Sequence, residues 1–160
     1  MIDDLLFFFM YSTLWVILHE LGHIISTFIM NVKIRGVGIR LKPILHIYVE
    51  IDNSESSKKK YIFTISGVFV IFLLWAISSF IVGLNKFITI TLSLQLIMDI
   101  NPFYSDTQEL IAMIFSIKNR QSNKIIIGRD YLFSNVGIIH FLLWGGVICM
   151  IIIYIKRCLL

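Results

Sequence analysis

Charge, cysteine and proline are all scarce in this chain. Charged residues make up 15% of its 160 positions against 58% hydrophobic, and mean hydropathy is +0.86. That is too apolar for a soluble domain of this size and points to an integral membrane protein. The two cysteines, Cys149 and Cys158, lie in and just after the last apolar run. They supply neither a disulfide framework nor a thiolate metal site, and packing is the expected role of Cys149. Basic residues are missing from the start, which carries Asp3-Asp4 instead. With no small-residue cleavage site and an apolar run too long for a leader, the first thirty residues are expected to remain in the mature protein. The formal charge of +4 comes mostly from segments flanking apolar runs. It speaks for membrane topology and against a nucleic-acid partner.

Crossing a hydrocarbon core of about 30 Å takes around 20 helical residues. Four runs reach or approach that length: about 5–30, 61–82, 87–115 with a break near 101–102, and 136–155. Gly83-Leu84-Asn85-Lys86 is short enough to make the second and third runs an antiparallel hairpin. The expected fold is therefore an α-helical integral membrane protein, a single domain over 1–160 with about four transmembrane helices. Eleven of the fourteen Lys and Arg fall in 31–60 and 116–135, among them Lys58, Lys59 and Lys60, which anchor the second run. The positive-inside rule then sets both long loops in the cytoplasm and both termini outside.

The loop after the first run has a period of two. Val37, Ile39 and Leu41 alternate with Gly38, Arg40 and Lys42, and Leu45, Ile47, Val49 and Ile51 alternate with His46, Tyr48, Glu50 and Asp52. This predicts a short strand region at the membrane surface. The phase slips at Arg35-Gly36-Val37, as at a bulge or turn, and Pro43 breaks the pattern again. Such strands serve either as an edge that pairs with an unwound substrate or as a packing element. His46, on the polar face, reads as a solvated side chain.

Within the first apolar run stands His19-Glu20-Leu21-Gly22-His23. A helix turns once in about 3.6 residues, so His19 and His23 share a face and both imidazoles can reach one Zn²⁺. Glu20 lies about 100° round the helix, placed to take a proton from a water at the metal without being a ligand. A central charge costs roughly 2.5–3.5 kcal/mol on insertion scales, so ionisable groups at this depth usually face a protein interior and serve function. A catalytic zinc site takes three protein ligands and leaves one position for water.

The third run offers candidates for the remaining ligand. It is apolar from Phe87 to Ile100 apart from Asp99; Asn101-Pro102 then interrupts it, and Asp106 and Glu109 follow. Proline removes a backbone donor and clashes with the preceding turn, so the helix kinks or unwinds there. Unwound backbone at membrane depth is tolerated where it lines a protein interior or a watery cavity. Asp106 is the first choice. Asp99 is an alternative that sits deeper, and His140 in the last run is the rival, or else makes an interhelical hydrogen bond. Asn101, Pro102 and Glu109 are candidates for binding substrate or supporting the ligands from behind.

Together these residues resemble the site-2 protease family of intramembrane zinc metalloproteases. Its pattern pairs HExxH on one membrane helix with an Asn-Pro-containing, aspartate-bearing motif on a later one, across a strand-rich loop. The resemblance runs from the first span through about Glu109 and is greatest to the small minimal members, some of which accompany peptide-maturation or signalling-peptide systems. It implies His19, His23 and Asp106 as ligands of one Zn²⁺ per chain, Glu20 as catalytic base, and Ser66-Gly67 as the family's glycine-containing segment. The chain departs from the pattern at Thr107, where glycine is common, at Val68, where proline often stands, and at Ile71, often asparagine. The expected activity is hydrolysis of a peptide bond in or near the transmembrane segment of a single-span membrane protein or of a membrane-inserted hydrophobic peptide. Two other classes use the same histidines. A metal transporter or sensor would want ligating residues on more spans, and an idle peptide-binding scaffold would not need Glu20.

Overall fold

The computed structural model describes residues 2–40, 46–52, 56–80, 86–103, 105–115 and 129–159. The order is α1 (Ile2–Met30), β1 (Ile34–Arg40), β2 (His46–Ile51), α2 (Ser57–Phe80), α3 (Lys86–Asp99), α4 (Asp106–Ile114), α5 (Arg129–Leu132) and α6 (Asn135–Leu159). Three of these helices, α1, α2 and α6, are long and apolar enough to cross a membrane. At 14 residues α3 extends only about 21 Å. The third apolar run is thus two helices, α3 and α4, joined through Ile100–Ser105. The Gly83–Lys86 turn and the break at Pro43 fall at least partly outside the described residues.

The helices are inside out relative to a soluble protein. On α1 the buried positions are Trp15, His19, Gly22, His23, Ser26 and Thr27, a stripe at helical spacing, while Leu6, Phe9, Ile25, Phe28 and Ile29 are exposed. Buried Thr64 and Ser78 on α2, and Thr91, Ser93 and Asp99 on α3, continue the pattern. Burying polar side chains and exposing large apolar ones is stable when the surroundings are hydrocarbon. The apolar core is small: Trp15, Ile71, Leu92, Leu96 and Ile151. Tryptophan N–H groups tie the helices across it, Trp15 Nε1 to Thr91 Oγ1 at 2.8 Å and Trp75 Nε1 to Ser93 Oγ at 2.9 Å.

Asp3 and Asp4 in the first turn of α1 suit its positive end. Asn31 ends it in the left-handed region at φ 50°. Its N–H reaches Phe28 O at 3.2 Å and that of Val32 reaches Thr27 O at 2.9 Å, a Schellman closure. The chain then enters an antiparallel hairpin in which Val37 faces Val49 and Ile39 faces Ile47. Its register shifts between Ile34 and Gly36, so Arg35 is the bulged residue, where the period-two pattern slips. β2 packs against α1, and Val37 and Ile39 on β1 stay exposed. Next, α2 lies against α1, with Gly22 meeting Ser66 and Gly67. A Cβ on Gly22 would stand 2.9 Å from Ser66 O and 3.2 Å from Gly67 Cα, so the absence of side chains sets this approach.

The Asn101-Pro102 break has a full physical account. Pro102 has no N–H, so the Met98 carbonyl loses its helical donor. Asn101 replaces that donor, through its backbone N–H at 3.3 Å and its side-chain amide. The Asn101 carboxamide oxygen accepts Phe103 N–H at 2.9 Å and turns the chain. Two more carbonyls at the end of α3 are taken by α6: Trp144 Nε1 donates to Ile97 O and His140 Nε2 to Ile100 O, both at 2.9 Å. Both carbonyls thus find their donors on a packed neighbouring helix.

Candidate metal centre

His19 Nε2, His23 Nε2 and Asp106 Oδ2 converge on one point. Nε2 to Nε2 is 3.2 Å, and Asp106 Oδ2 stands 2.9 Å from His19 Nε2 and 2.8 Å from His23 Nε2. The histidines come from one face of α1, four residues apart, as helical periodicity requires. Asp106 is the first residue of α4, where the N-terminal dipole favours a carboxylate. Ser105 caps that helix by accepting Gln108 N–H at 3.2 Å, and its hydroxyl donates to Asn101 O, so the break and the ligand are one piece of structure.

What faces the far side of each imidazole sets which nitrogen carries the neutral ring's proton. His19 Nδ1 is 3.0 Å from the Asp99 carboxylate and His23 Nδ1 is 2.8 Å from the Phe63 carbonyl. Both partners only accept, so each Nδ1 carries a proton, and in the neutral ring each Nε2 presents a lone pair. Asp99 is held in turn by Gln95 Nε2 at 2.7 Å, one helical turn away. Ser66 Oγ sits 3.2 Å from His23 Nδ1 and donates to the same Phe63 carbonyl at 2.6 Å. With both rings neutral, three acceptor atoms meet at hydrogen-bond distance. A cation between them relieves that arrangement, and the group could hold a metal ion.

Gly67 makes the space. A Cβ there would lie 2.6 Å from Nε2 of both histidines. The His19 and His23 side chains are 11% and 5% exposed, whereas that of Asp106 retains 31%, so the centre is most open on the Asp106 side.

The other sequence candidates are not among the three converging residues. Asp99 is behind His19, not at the centre. Glu20 is half-buried on α1 beside His19 in sequence, and Glu109 is on the exposed side of α4 one turn beyond Asp106. Asn101 and Pro102 are buried in the break they create. His140 is outside the cluster, its Nε2 on Ile100 O and its Nδ1 3.1 Å from the Tyr131 hydroxyl. Gln95 was detectable in principle as the i, i+4 partner of Asp99 on one helix. Nothing in the sequence marks Phe63, whose contribution is a backbone carbonyl. No protein-family model, curated protein or solved structure matches the chain.

Proposed function

We propose that this chain is an intramembrane zinc metalloendopeptidase of the site-2 protease type, cutting a single-span membrane protein or a membrane-inserted hydrophobic peptide. The observation that carries the reading is the convergence of three lone-pair atoms, two imidazole and one carboxylate, with both Nδ1 protons committed elsewhere. Two histidines and one carboxylate form a ligand set that catalytic zinc uses with an open fourth position. Zn–N bonds of about 2.0–2.1 Å in a tetrahedron set ligand atoms about 3.3 Å apart, close to the 2.8–3.2 Å found here. Bound zinc would supply an acidified water and a polarised scissile carbonyl.

The chain's own residues do the rest. His19, His23 and Asp106 hold the ion, and Asp99 and the Phe63 carbonyl keep the imidazoles aimed, with Nε2 toward it. The Glu20 carboxylate takes a proton from the attacking water as its oxygen bonds to the carbonyl carbon. It then hands that proton to the amide nitrogen as the C–N bond breaks, leaving an amine and a carboxylic acid whose remaining proton passes to the amine or to water. Intact Glu20 favours proteolysis over reversible metal handling, because binding alone has no need of a base. A transmembrane substrate hides its peptide bonds in its own helix and must unwind. β1 pairs only with β2 among the described residues, and its other edge can receive such a strand. In this reading the spans are α1, α2, the α3–α4 pair and α6. The hairpin lies at the membrane surface with the long loops in the cytoplasm.

Metal analysis of detergent-purified protein, together with co-expression beside single-span membrane proteins, tests the proposal. It expects near-stoichiometric zinc that is largely lost in His23→Ala. Glu20→Gln keeps the zinc and accumulates uncut substrate. Zinc-free protein that still cleaves, or normal cleavage by Glu20→Gln, overturns it.

A further inference from the structure

We infer that His140 is a positioning residue for the metal centre, acting through the carbonyl of Ile100; the inference rests on the metalloprotease reading above. Ile100 is flanked by two residues the centre depends on. Asp99 before it holds the His19 imidazole by Nδ1. Asn101 after it accepts the hydroxyl of Ser105, which caps α4 at the point where Asp106 begins. One hydrogen bond, His140 Nε2 to Ile100 O at 2.9 Å, therefore fixes the backbone from which both branches leave.

The imidazole is set for this task. Ile100 O can only accept, so Nε2 carries the proton. The neutral ring then takes the Tyr131 hydroxyl proton at Nδ1, 3.1 Å away. Tyr131 is fully buried and cannot turn to water. Gly137 holds it there: a Cβ at that position would run into the Tyr131 carbonyl, so only glycine lets α5 fold back on α6. Around the same contact, Phe103 in the break stacks edge-on with Phe141 and Trp144, at ring separations of 6.2 and 5.9 Å. Thus α6 contributes no ligand, yet it clamps the segment that carries one ligand and the carboxylate behind another.

The test measures metal affinity on full-length protein in detergent by chelator competition. A cobalt-substituted sample reports ligand geometry by visible absorption. His140→Phe keeps the ring and removes both polar atoms; about 10-fold or greater loss of zinc affinity per folded molecule is expected, the range for groups that orient ligands, with an altered cobalt spectrum. His140→Gln retains an N–H for Ile100 O and should restore most of the affinity. Tyr131→Phe frees the tautomer and should give a smaller loss of the same sign, which keeps the idea testable if His140→Phe does not fold. Unchanged zinc affinity and cobalt spectrum in the folded variants, with only the yield of protein reduced, would mean that His140 is merely structural. If wild-type protein binds no zinc at all, the metalloprotease reading fails and this inference fails with it.

Discussion

Gly67→Ala separates metal binding from folding. The added methyl would stand 2.6 Å from Nε2 of both His19 and His23 and 2.8 Å from His19 Cδ2. Comfortable contact begins at roughly 3.5 Å, so each ring must retreat by about 0.9 Å. Neither ring can do so cheaply, since Asp99 and the Phe63 carbonyl tether them at 3.0 and 2.8 Å. The methyl also occupies the space between the ligand atoms, so the expected loss of zinc affinity is at least about 100-fold, or about 2.8 kcal/mol. The metal-free fold is expected to survive. There the rings swing aside at the cost of two hydrogen bonds, about 1 kcal/mol for the one to the Phe63 carbonyl and about 1.5–3 kcal/mol for the one to the Asp99 carboxylate, and replacing glycine inside a helix returns about 0.5–1 kcal/mol. The assay is chelator competition for zinc, paired with thermal unfolding in excess chelator. Zinc affinity collapses while the metal-free protein still shows a melting transition. Wild-type affinity in Gly67→Ala would refute the convergence of the two imidazoles beneath this glycine.

Asp99→Asn removes the charge behind His19 but not its shape, and should weaken zinc binding by about 10–100-fold without abolishing it; equal loss to His19→Ala would instead make Asp99 a ligand. Asp106→Asn should abolish cleavage and weaken zinc binding more than Asp99→Asn does, as measured by the same competition. Chelator treatment of active protein should stop cleavage, and zinc should restore it; activity that survives full zinc removal argues for another mechanism. In a Cys149→Ser, Cys158→Ser background, a cysteine at position 58 should resist labelling from outside intact cells, and ready labelling there would invert the topology.

Helix and strand periodicities are properties of the covalent chain, and what depends on them is legible without a fold. The shared face of His19 and His23, the bulge at Arg35 and the interruption at Asn101-Pro102 all belong to this class, because each follows from spacing or from a missing N–H within a few residues. Apolar run lengths likewise mark α1, α2 and α6 as long enough to span a membrane, although the third run resolves into two short helices. The proline break ranked Asp106 ahead of Asp99 and His140, but no local rule could fix which of the three meets the imidazoles. All three sit at compatible positions along their runs, and only packing shows that Asp106 meets the imidazoles, Asp99 backs one of them and His140 ties down Ile100. The imidazole tautomers depend on the same packing, since one is set by a backbone carbonyl 40 residues away in sequence. Gly67 belongs there too: its meaning is the space above its Cα, which exists only once α1 and α2 are in contact. Sequence by itself determined which metal-ligating residue types this chain carries and on which helices they lie; the tertiary structure decided which of its acceptor atoms converge, because convergence is a matter of distance between segments that the chain's own spacing leaves free.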